Sequence, residues 1–134
     1  MRRLAIAVGF SLIASTVSAN DVAVEVVTKT TTSWDGSTLP AYPLGQPEIT
    51  ILRIKIPAGV KLPMHKHPVI NAGLLLRGEL TITTRNGQSL NLKAGDSIVE
   101  LVDKWHFGAN TGESEAEIVV FYAGLEDQPI TNSE

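Results

Sequence analysis

Beyond residue 48, apolar residues recur at every second position in short runs, and glycine, proline or asparagine separates one run from the next. In the first run, residues 49–56, Leu52, Ile54 and Ile56 fall on one side. This is the period of a β-strand with one buried face. No stretch after residue 19 has the apolar spacing of an amphipathic helix over three turns. The pattern therefore predicts an all-β domain, either a β-sandwich or a closed β-barrel.

Turn sequences indicate where further strands begin and end. The segment 79–84 alternates cleanly and precedes an Asn-Gly pair at positions 86 and 87, which is the strongest short signal for a β-hairpin. We therefore expect Leu90 and Leu92 to face Leu80 and Ile82 across that hairpin. Later segments at 97–102 and 116–122 are predicted as two further strands.

The first 19 residues have the features of a secretory signal peptide. Arg2 and Arg3 precede a nearly unbroken apolar run over residues 4–13, and the segment ends in small residues at Ala19. The run is shorter than the about 20 apolar residues that span a bilayer, so we predict no membrane span. We expect the mature protein to be exported, either to the periplasm or as a secreted protein.

Two further regions follow the predicted signal. Residues 20–48 begin with alternating valines and continue with several prolines and glycines, which predicts an extended N-terminal arm with an edge strand. Residues 49–134 are predicted as the barrel domain. The arm could also pair with a second copy, because open sheet edges favour such pairing, and we therefore expect a homodimer.

Charge and cysteine content exclude several kinds of function. Removal of residues 1–19 would leave 115 residues with 9 basic and 14 acidic side chains, a formal charge of −5. No cluster of lysine or arginine remains that could neutralise phosphates, so nucleic acid is not an expected partner. The absence of cysteine excludes disulfides, thiolate metal sites and a cysteine nucleophile.

The chain has three histidines, and they are the best candidates for chemistry. His65 and His67 are two residues apart, so in an extended segment both imidazoles project to the same face. His106 comes about forty positions later, at the end of another predicted strand. Three neutral imidazoles are a sufficient ligand set for Fe, Zn, Cu, Ni or Mn. The spacing alone fits solvated or hydrogen-bonded histidines equally well.

The residues around the histidines resemble the two sequence motifs of the cupin superfamily. The positions that match the first motif are Gly59, His65, His67, Asn71 and Gly78, and those that match the second are Gly87, Gly95, His106 and Asn110. Asn71 stands where the first motif normally has glutamate, and Lys93 stands where a proline is usual. The resemblance implies a small jelly-roll β-barrel with the histidines pointing into it.

The same resemblance implies a metal site. It gives His65, His67 and His106 as ligands and Asn71 as a further candidate, although an amide oxygen is a weaker donor than a carboxylate. Similarity to the three-histidine iron dioxygenases favours Fe as the divalent metal, with Mn, Ni, Zn and Cu as alternatives. It also implies an Fe-dependent dioxygenase that acts on a small oxygenated organic substrate. Three neutral ligands leave the ion its full charge, so we expect the bound small molecule to be anionic.

Two other functions fit the sequence, and no catalytic residue is identified from it. The barrel could be a non-catalytic module that binds or senses a small ligand or a metal. It could also be a metal-free barrel in which the histidines bond to one another and to Asn71. Glu100, on the strand that leads towards His106, is a candidate replacement for the missing motif glutamate, but we expect it to be exposed to solvent, as most strand glutamates are. Trp105 and Phe107 flank His106 and are expected to point away from it.

Overall fold

The computed structural model describes residues 22–134, so the predicted signal peptide lies outside the described residues. Within this range the chain forms strands and no helix, and hence no helix that could cross a membrane. The nine strands are β1 (Pro47–Ile56), β2 (His65–Lys66), β3 (Ile70–Arg77), β4 (Glu79–Thr84), β5 (Ser89–Lys93), β6 (Ser97–Val99), β7 (His106–Ala109), β8 (Ala116–Leu125) and β9 (Asn132–Ser133).

The strands form two antiparallel sheets. One sheet has the order β1-β8-β3-β6 and the other the order β5-β4-β7-β2-β9. Strands that are distant in sequence lie side by side, as where β1 pairs with β8 over ten residues. This arrangement confirms the all-β prediction and is consistent with a jelly-roll barrel.

The side-chain alternation seen in the sequence places one face of each sheet in a shared core. Leu80 lies opposite Leu92 and Ile82 lies opposite Leu90, as the hairpin signal predicted. The fully or almost fully buried apolar residues are Ile56, Val69, Leu75, Leu80, Ile82, Leu92, Ile98, Leu101, Ala116, Ile118, Val120 and Tyr122. His65, His67 and His106 line a cavity between the two sheets.

The corner between β3 and β4 depends on a single glycine. Gly78 has a φ of +75°, and a Cβ placed there would lie 2.7 Å from both the Ala116 Cα and the Glu115 carbonyl oxygen. A side chain is therefore excluded both by backbone conformation and by space. This explains why the last glycine of the first motif stands at this corner.

The N-terminal arm differs from the prediction in one respect. Within residues 22–46 no strand forms, and the only bridge joins Thr32 to Thr38. Val22, Val24 and Val26 are exposed. The arm instead contacts β6, where the backbone N–H of Trp34 donates to the Val99 carbonyl at 3.0 Å. Over residues 22–46 an extended segment followed by a tight turn therefore stands in place of the predicted edge strand.

Candidate metal centre

The two sheet-forming segments that carry the histidines are neighbours, which brings the three rings together. His65 in β2 lies directly opposite His106 in β7, and His67 forms a parallel bridge to Val102 just beyond β2. Residues opposite each other in a pair of strands project to the same face. The ring centroids are 4.6 Å apart for His65 and His106, 4.9 Å for His65 and His67, and 5.1 Å for His67 and His106.

One nitrogen of each ring is already occupied by a backbone carbonyl. The Nδ1 atoms of His65, His67 and His106 lie 2.8, 2.9 and 2.8 Å from carbonyl oxygens, which belong to Pro63, Ile130 and Lys104, respectively. A carbonyl can only accept, so each Nδ1 carries the proton and donates it. The tautomer that follows leaves the lone pair on Nε2 of every ring.

Burial keeps these rings neutral. Burial lowers the pKa of His65, and the neighbouring His106 lowers it further. Burial lowers the pKa of His67 to about 4, and it also lowers the pKa of His106. At neutral pH all three imidazoles are therefore unprotonated at Nε2, which is the state a metal requires.

The ligand atoms of the three histidines are arranged in a way that suits a divalent transition-metal ion. One ligand atom from each of His65, His67 and His106 can be chosen so that all lie within 4.8 Å of one another. The Nε2 of His106 is buried and has no hydrogen-bond partner among the described residues. A buried acceptor without a donor is costly, and a cation shared by the three nitrogens would satisfy it.

Glu100 is buried beside this cluster, which corrects the expectation that it would be exposed. Its exposed fraction is 6%, and its Oε2 lies 3.4 Å from the Nε2 of His106. Burial raises the pKa of Glu100 to about 7, although the nearby His65 and the Leu101 backbone N–H lower it. Because burial also lowers the pKa of His106, the contact is not an ion pair at neutral pH.

Asn71 is also buried, but it is held differently. Its Nδ2 donates to the Val69 carbonyl at 3.1 Å, and its exposed fraction is 1%. Its Oδ1 is buried without a hydrogen-bond partner in the described part of the chain. Asn71 is not among the residues that line the cavity next to the histidines, whereas Glu100 is. The role of Asn71 as a ligand stays a prediction.

A cavity of about 260 Å³ opens from the histidines between the two sheets. Most of its wall is apolar, formed by Leu52, Ile54, Ile56, Leu62, Pro63, Leu80, Ile82, Gly108, Ile118 and Val120. Besides the histidines and Glu100, polar groups come from Tyr122, Thr131 and Ser133. Burial, followed by the charge of Glu100, raises the pKa of Tyr122 to about 12, so its hydroxyl stays protonated. The cavity is smaller than the about 300–1,000 Å³ of sites for drug-sized ligands, which favours a small ligand.

Trp105 and Phe107 lie outside this cavity, in line with the expectation from strand alternation. The Lys61 Nζ sits 3.9 Å from the centre of the Phe107 ring, and Lys66 and Arg85 lie over the Trp105 ring. These aromatic rings therefore pack under cationic side chains.

Sequence reasoning assigned Glu100 to solvent and missed Tyr122 and the C-terminal contribution of Thr131 and Ser133. The signal for Glu100 was present, because it lies two residues after the buried Ile98 and thus on the same face of an extended segment. No comparable signal marks residues 131–133, since their place beside the histidines depends on β9 pairing with β2.

Comparison with known proteins identifies the family. The family model of the cupin domain matches residues 52–122, more than half of the chain. The protein is a cupin. The match overlaps strands β1 to β8 and includes all three histidines. No curated protein matches the sequence of this cupin significantly.

Solved structures with the same fold include enzymes and an uncharacterised protein. An oxalate oxidase in complex with the substrate analogue glycolate is 25% identical with a TM-score of 0.55, covering 63% of this chain and 45% of that chain. This cupin thus spans less than half the length of that enzyme. An uncharacterised protein with a double-stranded β-helix domain from Klebsiella pneumoniae is 21% identical with a TM-score of 0.56, covering 69% of this chain and 90% of that one.

A DMSP lyase from Ruegeria pomeroyi is also similar. It is 20% identical with a TM-score of 0.55, covering 63% of this chain and 42% of that chain. At this identity the likeness, as with the Klebsiella protein, shows the shared fold alone. The fold therefore serves different reactions and does not by itself determine the function of this cupin.

Proposed function

We propose that this cupin binds a divalent transition-metal ion, with Fe(II) as the preferred ion, through His65, His67 and His106. We further propose that it promotes the oxidation of a small anionic organic substrate by O₂. The observation that carries the proposal is the set of three Nδ1–carbonyl hydrogen bonds, which leave three neutral Nε2 lone pairs in one cluster formed by the half-buried His65 and the buried His67 and His106. In a metal-free barrel the buried Nε2 of His106 would remain an acceptor without a donor among the described residues, which is unfavourable.

The chain's own residues would bind and orient the substrate. When bound, the metal would supply a Lewis acid and a template for the substrate and O₂. The apolar wall of the cavity would exclude bulk water, which strengthens polar interactions inside it. The hydroxyls of Tyr122, Thr131 and Ser133 line the cavity and could hydrogen-bond to the polar groups of the substrate.

The cavity supports a small carboxylate or hydroxy acid as the substrate class. No lysine or arginine is among the described residues that line it, so the metal would be the positive charge that attracts an anion. The similarity to the oxalate oxidase that binds glycolate supports the same class. The cavity volume limits the substrate to a small molecule.

The test combines metal content with oxygen consumption. Protein purified without a nickel column and without chelator should contain near-stoichiometric metal by elemental analysis. With Fe(II) it should consume O₂ on some member of a panel of glycolate, oxalate, diketones, phenols and thiols. His106→Ala should lose most of the metal while remaining folded by circular dichroism. Trp105→Ala changes the residue next to His106, whose side chain lies outside the cavity, and this variant should retain the metal.

Two results would overturn this proposal in different ways. Equal and low metal content in the wild-type protein and in His106→Ala would contradict metal binding itself. Stoichiometric metal with no oxygen consumption on any member of the panel would contradict the oxidase function. That second result would favour the alternative of a module that binds or senses a small ligand or metal.

Export is a separate proposal, supported by the charged, apolar and small-residue segments of residues 1–19. Expression of the full chain in a bacterial host should give a periplasmic or secreted product that begins at Asn20. Intact-mass measurement of the recovered protein checks this. A cytoplasmic product of full mass would contradict it.

A further inference from the structure

We propose that Glu100 supplies a carboxylate ligand to the metal centre, in place of the motif glutamate whose position Asn71 holds. This inference rests on the proposed metal binding. It assigns the fourth protein ligand to the segment that follows β6, whereas the first motif would place it on β3.

The first argument is the register of the two strands. Ala72 pairs with Val99 in the antiparallel β3–β6 ladder, and the Glu100 N–H donates to the Asn71 carbonyl at 3.0 Å. Positions 71 and 100 therefore lie opposite each other, and opposite residues share a face. A carboxylate at position 100 is therefore on the same face of the sheet, and at the same level along the strands, as a carboxylate at position 71 would be.

The second argument is distance. Ligands bound to one ion at about 2.0–2.2 Å are about 2.8–3.6 Å from their neighbours in octahedral or tetrahedral geometry. The Oε2 of Glu100 and the Nε2 of His106 are 3.4 Å apart, which lies within that range. Glu100 also lines the cavity together with all three histidines. The ligand atoms within 4.8 Å of one another belong to the histidines alone, so the Glu100 side chain would have to move towards the ion to bind it.

The third argument is that these two atoms lack any other partner. The Oε2 of Glu100 and the Nε2 of His106 are both buried without a hydrogen bond among residues 22–134. Each is an acceptor when the carboxylate is ionised, because the proton of His106 is on Nδ1. Two buried acceptors at 3.4 Å need a cation or a proton between them, and a metal ion satisfies both.

The identity of residue 71 agrees with this assignment. Glutamate at both 71 and 100 would place two buried carboxylates opposite each other, which is unfavourable. Asparagine at 71 avoids that repulsion and donates to the Val69 carbonyl. With Glu100 as a ligand, a divalent ion would keep a single net positive charge, as in a centre with the usual motif glutamate. An anionic substrate would still be attracted, less strongly than by three neutral imidazoles alone.

The experiment removes the carboxylate from position 100 and then places one at position 71. Apo protein is prepared with a chelator and titrated with Co(II), measuring the dissociation constant and the visible absorption spectrum. We expect Glu100→Gln to weaken Co(II) binding by about 10- to 100-fold and to change the spectrum. The double variant Asn71→Glu/Glu100→Gln should recover a large part of the lost affinity. Glu48→Gln removes an exposed carboxylate on β1 and should bind as the wild type does.

The outcomes separate this inference from the proposed function. If the wild type binds Co(II), His106→Ala does not, and Glu100→Gln matches the wild type in affinity and spectrum, Glu100 is not a ligand although the histidine site stands. If the wild type and His106→Ala both fail to bind, metal binding itself is wrong. Thermal unfolding of each apo variant, compared with the apo wild type, identifies a loss of affinity that comes from misfolding. If Glu100→Gln loses affinity because it misfolds, adding Asn71→Glu should not restore Co(II) binding. Absence of that rescue would therefore count against Glu100 as a ligand.

Discussion

Each histidine of the cluster has one nitrogen fixed by the backbone, and that determines what the other nitrogen can do. The carbonyls of Pro63 and Lys104 lie two residues before His65 and His106, so local chain geometry orients those two rings. His67 is oriented instead by the distant Ile130 carbonyl, with Thr131 Oγ1 at 3.1 Å as a second partner. The cluster is therefore arranged before any metal binds, which lowers the cost of binding.

At the same scale, Gly78 provides a prediction about stability. Gly78→Ala should lower the free energy of unfolding by at least about 2 kcal/mol, because positive φ costs an alanine about 1–2 kcal/mol and its Cβ would overlap backbone atoms at 2.7 Å. Gly59→Ala is the matched control, since Gly59 has a φ of +77° with nothing within 4 Å of a Cβ. Urea unfolding of both variants checks this. An equal loss in the two would show that crowding at Gly78 is unimportant.

Individual residues also show what the sequence could and could not predict. His65, His67 and His106 were predicted together, because alternation and motif spacing are local properties of the chain. Glu100 was assigned to solvent, because a general preference of glutamate for the surface outweighed its alternation with Ile98. Tyr122 and Ser133 could not be assigned to the site, since their positions follow from pairings over long sequence distances.

At the scale of elements, the turn of the N-terminal arm supports the segment that carries Glu100. The buried Ser33 hydroxyl donates to the Glu100 carbonyl at 2.8 Å, and the Trp34 N–H donates to the Val99 carbonyl. From the other side, the Glu100 N–H is held by the Asn71 carbonyl. The arm is therefore part of the support of the site. The sequence predicted an extended arm with an edge strand and not this contact, because the prolines and glycines of the arm have no periodicity.

The same turn predicts a pH dependence of stability. Burial alone would raise the pKa of Asp35, but hydrogen bonds from Lys104 and Ser37 outweigh burial and lower it from 3.8 to about 2. A carboxyl group with a lowered folded-state pKa stabilises the fold above pH 3.8, and this contribution is lost as the pH falls through about 2. Asp35→Asn should therefore be less stable than the wild type at pH 5, and the difference should shrink towards pH 2.

Urea unfolding at pH 5, 4, 3 and 2 measures that difference. Glu48→Gln, which removes an exposed carboxylate from β1, controls for the change in net charge. A gap between the wild type and Asp35→Asn that stays constant from pH 5 to pH 2 would show that the turn is not held by an ionised Asp35.

At the scale of the whole molecule, the outer face of the β1-β8-β3-β6 sheet carries exposed apolar side chains. Ile49, Ile51 and Phe121 are 62%, 57% and 50% exposed, and Ile51 lies directly opposite Phe121. At the other end of the same face, Arg53 pairs with Glu117 at 3.3 Å. β1 is also an edge strand, paired only with β8 among the described residues. An apolar outer face at an open edge is typical of an interface between copies.

We therefore retain the homodimer as a proposal and place it on this face. A two-fold axis beside β1 would bring the apolar residues of two copies together and remove both open edges from water. Ile51→Lys should then shift the protein from dimer to monomer, because it would bury an unpaired charge in the interface. Light scattering coupled to size-exclusion chromatography measures the mass. Leu44→Lys, at an arm position that is 98% exposed, adds the same charge elsewhere and should leave the dimer intact. A monomeric wild type at all concentrations, or a dimer that survives Ile51→Lys, would contradict an interface on this face.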